Sequence, residues 1–138
     1  MIDVHGTTVE IAGIGVLLRG NPGSGKSDLA LRLIDGGARL VADDRTLLRR
    51  DGARLVASAP ATIAGRLEVR GVGILTMPSV GEAVLRLVVD LVAPDVVERL
   101  PEPRSVALLG LELPLLSLAP FEASAPAKLR LAARAHAE

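Results

Sequence analysis

The chain has 138 residues, enough for one domain with an extended buried core. Hydrophobic residues make up 49% of it but include a single aromatic, Phe121, so the core has to be aliphatic. Its 16 basic residues balance 16 acidic ones, which argues against a nucleic-acid surface: the basic footprint is missing, and so are the aromatics of a base-stacking platform.

With no cysteine, disulfides and thiolate metal sites are excluded. Met1 to His5 lacks the basic and apolar regions of a secretory signal, and no apolar run approaches the ~18 residues of a membrane span. The expected location is the cytoplasm, away from membranes. Only two of the basic residues are lysines, Lys26 and Lys128. In an arginine-rich chain, Lys26 stands where a compact ammonium is the better ligand.

In chain order, Val9-Glu10-Ile11 reads as a short strand turned at Ala12-Gly13, and Ile14 to Arg19 as a buried strand ending at Gly20. Residues 26–35 put Leu29, Ala30, Leu33 and Ile34 on one helical face, and Gly36-Gly37 supplies the stop. Arg39 to Ala42 returns as a strand and delivers Asp43-Asp44 at its carboxyl end. This is one α/β unit. Strand character dominates afterwards. Thr46 to Leu48 and Arg54 to Val56 flank a hairpin signal at Asp51-Gly52, and Leu67 to Arg70 and Val72 to Thr76 are broken at Gly71. Val84 to Val92, Ser105 to Leu109 and Glu112 to Ser117 follow as strands. A final helix has Ser124 to cap it, Pro126 in its first turn, and Leu129, Leu131 and Ala132 to Ala135 along it. No second domain is visible, so 1–138 is expected to be a single unit.

Gly20-Asn21-Pro22-Gly23-Ser24-Gly25-Lys26-Ser27 satisfies G-x-x-x-x-G-K-[ST] at every fixed position. Glycines let backbone N–H groups curl around phosphate oxygens, and the following helix adds the partial positive charge of its N-terminus. Lys26 reaches the β- and γ-phosphates, and the Ser27 hydroxyl ligates Mg2+. Strand and helix flank the motif as required, so a nucleoside triphosphate is the expected ligand.

Asp43-Asp44 follows at the same sheet edge, where one carboxylate can serve a metal and the other can take a proton from an attacking hydroxyl. The plainer alternative is a strand end capped by turn-forming aspartates. Asp90, in Leu87 to Leu91, resembles a Walker B position, but an outward place on an alternating strand accounts for it better. On their own, Glu68 reads as a solvated strand face and His5 as a surface histidine.

Taken together, His5-Gly6, Gly20 to Ser27, Arg39 to Asp44, Ala59-Pro60 and Leu67 to Ile74 resemble the catalytic domain of HPr kinase/phosphorylase, the bacterial enzyme that acts on a serine of the phosphocarrier protein HPr. The likeness is strong over residues 4–78 and thin afterwards. The chain begins close to the start of that domain, as in the short form lacking the N-terminal domain. The resemblance implies an α/β phosphate-loop domain of the HPr kinase and phosphoenolpyruvate carboxykinase type, with a mixed, mostly antiparallel sheet around the loop's helix and a C-terminal helix. It implies ATP and Mg2+ as cofactors and HPr as partner, in a homo-oligomer such as the hexamer of long family members. Lys26 and the loop amides would hold the triphosphate, with Ser27 and Glu68 on Mg2+. Asp43 would be the general base, His5 would lie beside Asp43 and the phosphates, Asp44 would support the metal or the base, and Arg70 would assist.

One departure bears on activity. The family's late Gly-Arg-Asn element aligns with Glu122 to Pro126, which has no arginine. That arginine is tied to phosphorolysis, so a kinase without efficient phosphorylase activity is expected. The alternative is a non-catalytic nucleotide-binding module that regulates a partner protein. A kinase for a small-molecule hydroxyl ranks last, because so short a chain has little material for a lid.

Overall fold

In the computed structural model, which describes residues 1–137, β2 (Thr7–Ile11) and β3 (Ile14–Arg19) form a hairpin closed by Ala12 and Gly13. Both turn residues take positive φ, 52° and 87°, as a type I′ turn requires, and its twist matches that of the flanking strands. β3 runs into the phosphate loop and then α1 (Lys26–Asp35), whose buried face is Leu29, Ala30, Leu33 and Ile34, the set its helical period predicts. The helix stops at Gly36-Gly37: Gly37, at φ 109°, donates to Ile34 O at 2.9 Å and Ala38 N–H to Leu33 O at 3.0 Å. These bonds satisfy the last carbonyls in a Schellman arrangement.

β4 (Arg39–Ala42) returns beside β2, and β5 (Arg45–Asp51) and β6 (Arg54–Ser58) form the next hairpin. Its loop is Gly52-Ala53, one residue later than the expected Asp51-Gly52, because Asp51 still pairs with Arg54 and Gly52 alone bends to positive φ. β1 (Ile2–His5) was not foreseen. It is four residues long and exists by antiparallel pairing with β5, 40 or more residues away.

β7 (Arg66–Val69) and β8 (Gly73–Thr76) make a separate two-stranded ribbon that lies against α1 through the fully buried Leu67. β9 (Glu82–Leu91), β10 (Arg104–Leu108), β11 (Leu111–Leu118) and α2 (Ala125–Ala135) complete the order. The main sheet has nine strands, in the order β1-β5-β6-β9-β3-β2-β4, with the β10–β11 hairpin joined to β9. β9 is the hub. Its amino-terminal half pairs antiparallel with β6, its carboxyl half parallel with β11, and its other edge parallel with β3. Every other pairing in this sheet is antiparallel, so the sheet is mixed and mostly antiparallel, as expected.

The sheet is apolar on both faces. Val9, Val16, Leu18, Leu87 and Val89 meet α1 and α2, while Leu17, Leu48, Leu55, Leu85 and Val88 form a second core opposite. Leu85 and Leu87 can serve opposite faces because the β3–β9 register shifts between them, leaving Arg86 as the extra residue. Ser124 precedes α2 but does not cap it with its side chain: it already lies in helical backbone space (φ −80°, ψ −5°), which turns its hydroxyl away from the free N–H groups. Pro126 does occupy the first turn. Leu131 is 64% exposed, so the buried stripe is Ala125, Leu129 and Ala133.

Candidate functional site

The carboxyl ends of β3 and β4 meet at one edge of the sheet, because both lie antiparallel to β2. β3 ends at the loop Gly20 to Ser27. Within it Gly23 (φ 82°) and Gly25 (φ 100°) adopt left-handed backbone that an L side chain resists. Gly25 is also the residue before α1, and no side chain caps that helix end. Its first N–H groups are therefore left to a ligand, and an anion is favoured there by charge and geometry alike. Lys26 folds over the loop and donates to the carbonyls of Gly20 (2.8 Å) and Asn21 (3.2 Å). Its ammonium is thus held at the rim by weak neutral acceptors that a phosphate would outcompete.

β4 delivers Asp43, 8% exposed, into a set of three donors. Its Oδ1 accepts from the Ser27 hydroxyl at 2.7 Å and the Thr7 hydroxyl at 3.0 Å, and its Oδ2 from the Glu68 backbone N–H at 3.0 Å. One carboxylate thus ties the loop, β2 and the β7–β8 ribbon together. Thr7 in turn accepts the Asp44 N–H at 3.1 Å, which secures Asp44 in left-handed backbone at φ 67°. Asp44 is exposed, and among the described residues its carboxylate has no hydrogen-bond partner. A cleft of about 400 Å3 opens over the loop, lined among others by Lys26, Ser27, Asp44, Glu68 and Arg70, with Phe121 at its side.

Gly20 to Ser27, Asp43, Asp44 and Glu68 are therefore gathered at one place. His5 is not among them: it is exposed at the end of β1, in register with Arg45, and among the described residues its side chain neither lines the cleft nor forms a hydrogen bond. Arg45 is instead paired with Asp3, whose hydrogen bond and charge raise the guanidinium pKa. The residue that touches Asp43 from this end of the chain is Thr7. Sequence reasoning missed it, and a buried threonine on a strand carries no local signal. Phe121 was also missed as a site residue, although it is the only aromatic in the chain. Asp90 pairs with Arg19, its parallel-strand neighbour, at 2.8 Å, which bears out the structural reading over the Walker B one.

Among the described residues no three His, Cys, Asp or Glu side chains cluster closely enough to cage a metal, and no helix is long and apolar enough to cross a membrane. Ser27, Glu68 and Asp44 nevertheless line the same cleft. That donor set fits Mg2+, which is commonly held by one or two carboxylates together with substrate phosphates and water.

Residues 1–113 match the family described as HPr Serine kinase C-terminal domain. The chain is 44% identical over 115 residues to an HPr kinase/phosphorylase of Caldanaerobacter subterraneus subsp. tengcongensis, covering 80% of this chain and 37% of that protein. It is 42% identical over 127 residues to one of Geobacillus kaustophilus (83% and 41%). Against one of Clostridium tetani it is 47% identical over 76 residues (55% and 25%). The chain thus spans well under half the length of these relatives. Among solved structures it resembles an Hpr(Ser) kinase/phosphatase from Coxiella burnetii with a TM-score of 0.86 and 27% identity, over 99% of this chain and 96% of that one. The likeness that looked thin after residue 78 therefore continues through the fold. The chain belongs to the HPr serine kinase C-terminal domain family.

Proposed function

We propose that this chain is a protein serine kinase that moves the γ-phosphoryl group of ATP to a serine hydroxyl of the phosphocarrier protein HPr, with residues 1–138 acting as one catalytic domain. The observation that carries the reading is the 2.7 Å bond from the Ser27 hydroxyl to Asp43, which couples the phosphate loop to an acid at the neighbouring strand end. Phosphoryl transfer asks for positioning and charge neutralisation more than covalent help. The loop amides and Lys26 supply both to the triphosphate. Ser27, Glu68 and Asp44 would hold Mg2+, which when bound neutralises charge on the phosphates. Because Ser27 donates its proton to Asp43, its oxygen lone pairs are free to face the cleft.

Asp43 takes the proton as the serine oxygen forms its bond to phosphorus and the bond from phosphorus to the departing nucleotide diphosphate oxygen breaks. Its Oδ2 bears one donor and keeps room for a second. A second reading rests on one observation: Asp44, not Asp43, lines the cleft with an unoccupied carboxylate. There Asp44 takes the proton and Asp43 only orients Ser27. Residues 122–126, which start beside the loop, contain no arginine, so the reverse, phosphorolytic direction is expected to be slow.

Incubating the protein with Mg-ATP and HPr should give a phosphoserine on HPr, and Lys26→Ala should abolish it. Tight ATP binding with no transfer to HPr would overturn the kinase reading in favour of a regulatory module.

A further inference from the structure

Phe121 is the only aromatic ring in the chain, and it is 69% exposed. A ring of this size is normally an asset to the core, so its place outside calls for a reason. It lies directly on the phosphate loop: a Cβ added at Gly25 would sit 2.9 Å from its Cζ and 3.0 Å from its Cε1. The same ring borders two cavities. On one side is the phosphate cleft. On the other is a pocket of about 480 Å3, lined by Leu91, Val92, Pro94, Ala119 and Pro120 together with Ser24 and Glu122.

Three features set this second pocket apart from a surface dent. It forms where β9 and β11 end, and both run parallel with β3, so it stands at the same carboxyl edge as the loop. That edge is where open α/β sheets take their ligands. The segment carrying the ring is also fixed. Arg32 of α1 donates to the carbonyls of Pro120 and Glu122, Val92 N–H bonds Leu118 O at 3.0 Å, and Lys128 pairs with Glu122 at 3.2 Å. Finally, Ser24 of the loop belongs to this pocket's lining, so the loop is a wall common to both cavities, and the Ser24 hydroxyl is buried with no hydrogen-bond partner. That hydroxyl packs against Gly20, where a Cβ would come within 2.3 Å of Ser24 Oγ.

The lining selects the ligand. The hydrocarbon walls disfavour a second phosphate, whereas a flat aromatic system suits prolines, aliphatic strand ends and a phenyl face. The volume is within the ~300–1,000 Å3 usual for small-molecule sites. We propose that this pocket is the nucleobase subsite and that Phe121 stacks on the base of the nucleotide whose phosphates the loop holds. The inference rests on the nucleotide-binding reading above and extends it to the other end of the ligand.

The test compares Mg-ATP with Mg-tripolyphosphate, which keeps the phosphates and lacks the base. By calorimetry, Phe121→Ala should weaken Mg-ATP binding by about tenfold or more and leave Mg-tripolyphosphate binding unchanged. Because the chain contains no Trp, Phe121→Trp introduces a single indole. Its fluorescence should be quenched by Mg-ATP and not by Mg-tripolyphosphate. Equal loss of both ligands in Phe121→Ala, no loss of either, or an indole blind to Mg-ATP that the same variant binds, overturns the inference alone. Wild-type protein that binds neither ligand overturns the phosphate-loop reading itself.

Discussion

Replacing Asp43 with Asn separates chemistry from architecture at this site. The amide can flip so that its oxygen accepts the Glu68 N–H and its NH2 donates to the Ser27 and Thr7 hydroxyls, which become acceptors in place of donors. Each of these groups then keeps at least one partner and only the buried Thr7 hydroxyl proton loses its acceptor, so the stability cost should be about 1–2 kcal/mol, a fall of several degrees in Tm. Ala would instead strand two hydroxyls and an N–H, at about 1–3 kcal/mol each where they stay dry, and would confound the result. The flip has a chemical consequence. The Ser27 oxygen now spends a lone pair on the amide and turns its proton toward the cleft, where a metal should bind. Loss of a general base lowers the rate by a further factor of about 10²–10⁴. Thermal melts should therefore show a folded Asp43→Asn, and phosphoserine formation on HPr should fall at least a hundredfold. Asp44→Asn is the comparison and not a silent control: Asn tolerates the φ of 67° and the side chain is exposed, and with a Mg2+ carboxylate lost it should need more Mg2+ while keeping its base. An Asp43→Asn protein with wild-type kcat, beside an Asp44→Asn protein that is inactive, would refute the assignment and give proton transfer to Asp44.

The remaining expectations are simpler. Thr7→Val removes the donor to Asp43 and the acceptor for the Asp44 N–H in a fully buried place, so chemical denaturation should show a loss of about 1–3 kcal/mol. Gly25→Ala meets both a φ of 100° and the Phe121 ring edge, and should abolish Mg-ATP binding in calorimetry. Asp90→Asn loosens a third-exposed pair with Arg19 and should cost under about 1 kcal/mol with kinase activity intact. Ala12→Asn suits the type I′ turn between β2 and β3 and should raise the denaturation midpoint by up to about 1 kcal/mol of stability.

What could be read from the sequence was what is local. The phosphate loop declares itself by residue type, α1 by a four-residue buried face, and the Gly36-Gly37 stop and the Ala12-Gly13 turn by the backbone angles glycine allows. β1 escaped notice because four residues of alternating, half-buried character make no strand until β5 arrives to pair with them. The break in alternation at Arg86 was equally hidden, since a register shift is a property of two strands and not of one.

The same distinction explains the site. Asp43 and the loop are 16 residues apart, joined by one helix and one strand, and their meeting follows from a single α/β unit. Thr7 and Glu68 reach that carboxylate from separations of 36 and 25 residues, through pairing of β2 with β4 and the docking of a ribbon on α1. Phe121 comes from further still, brought to Gly25 by the parallel addition of β11 to β9 and by Arg32 gripping the turn. The sheet therefore acts as an assembly rule. β4, β9 and β11 all run parallel to β3 and end on the loop's side, so the residue just beyond each of these strand ends becomes a candidate for contact with the nucleotide. Asp43 after β4 is one such residue by chemistry, and Ala119 to Phe121 after β11 are others by shape. A reader with topology but no coordinates could have nominated both, and a reader with only the motif could nominate neither the threonine nor the ring.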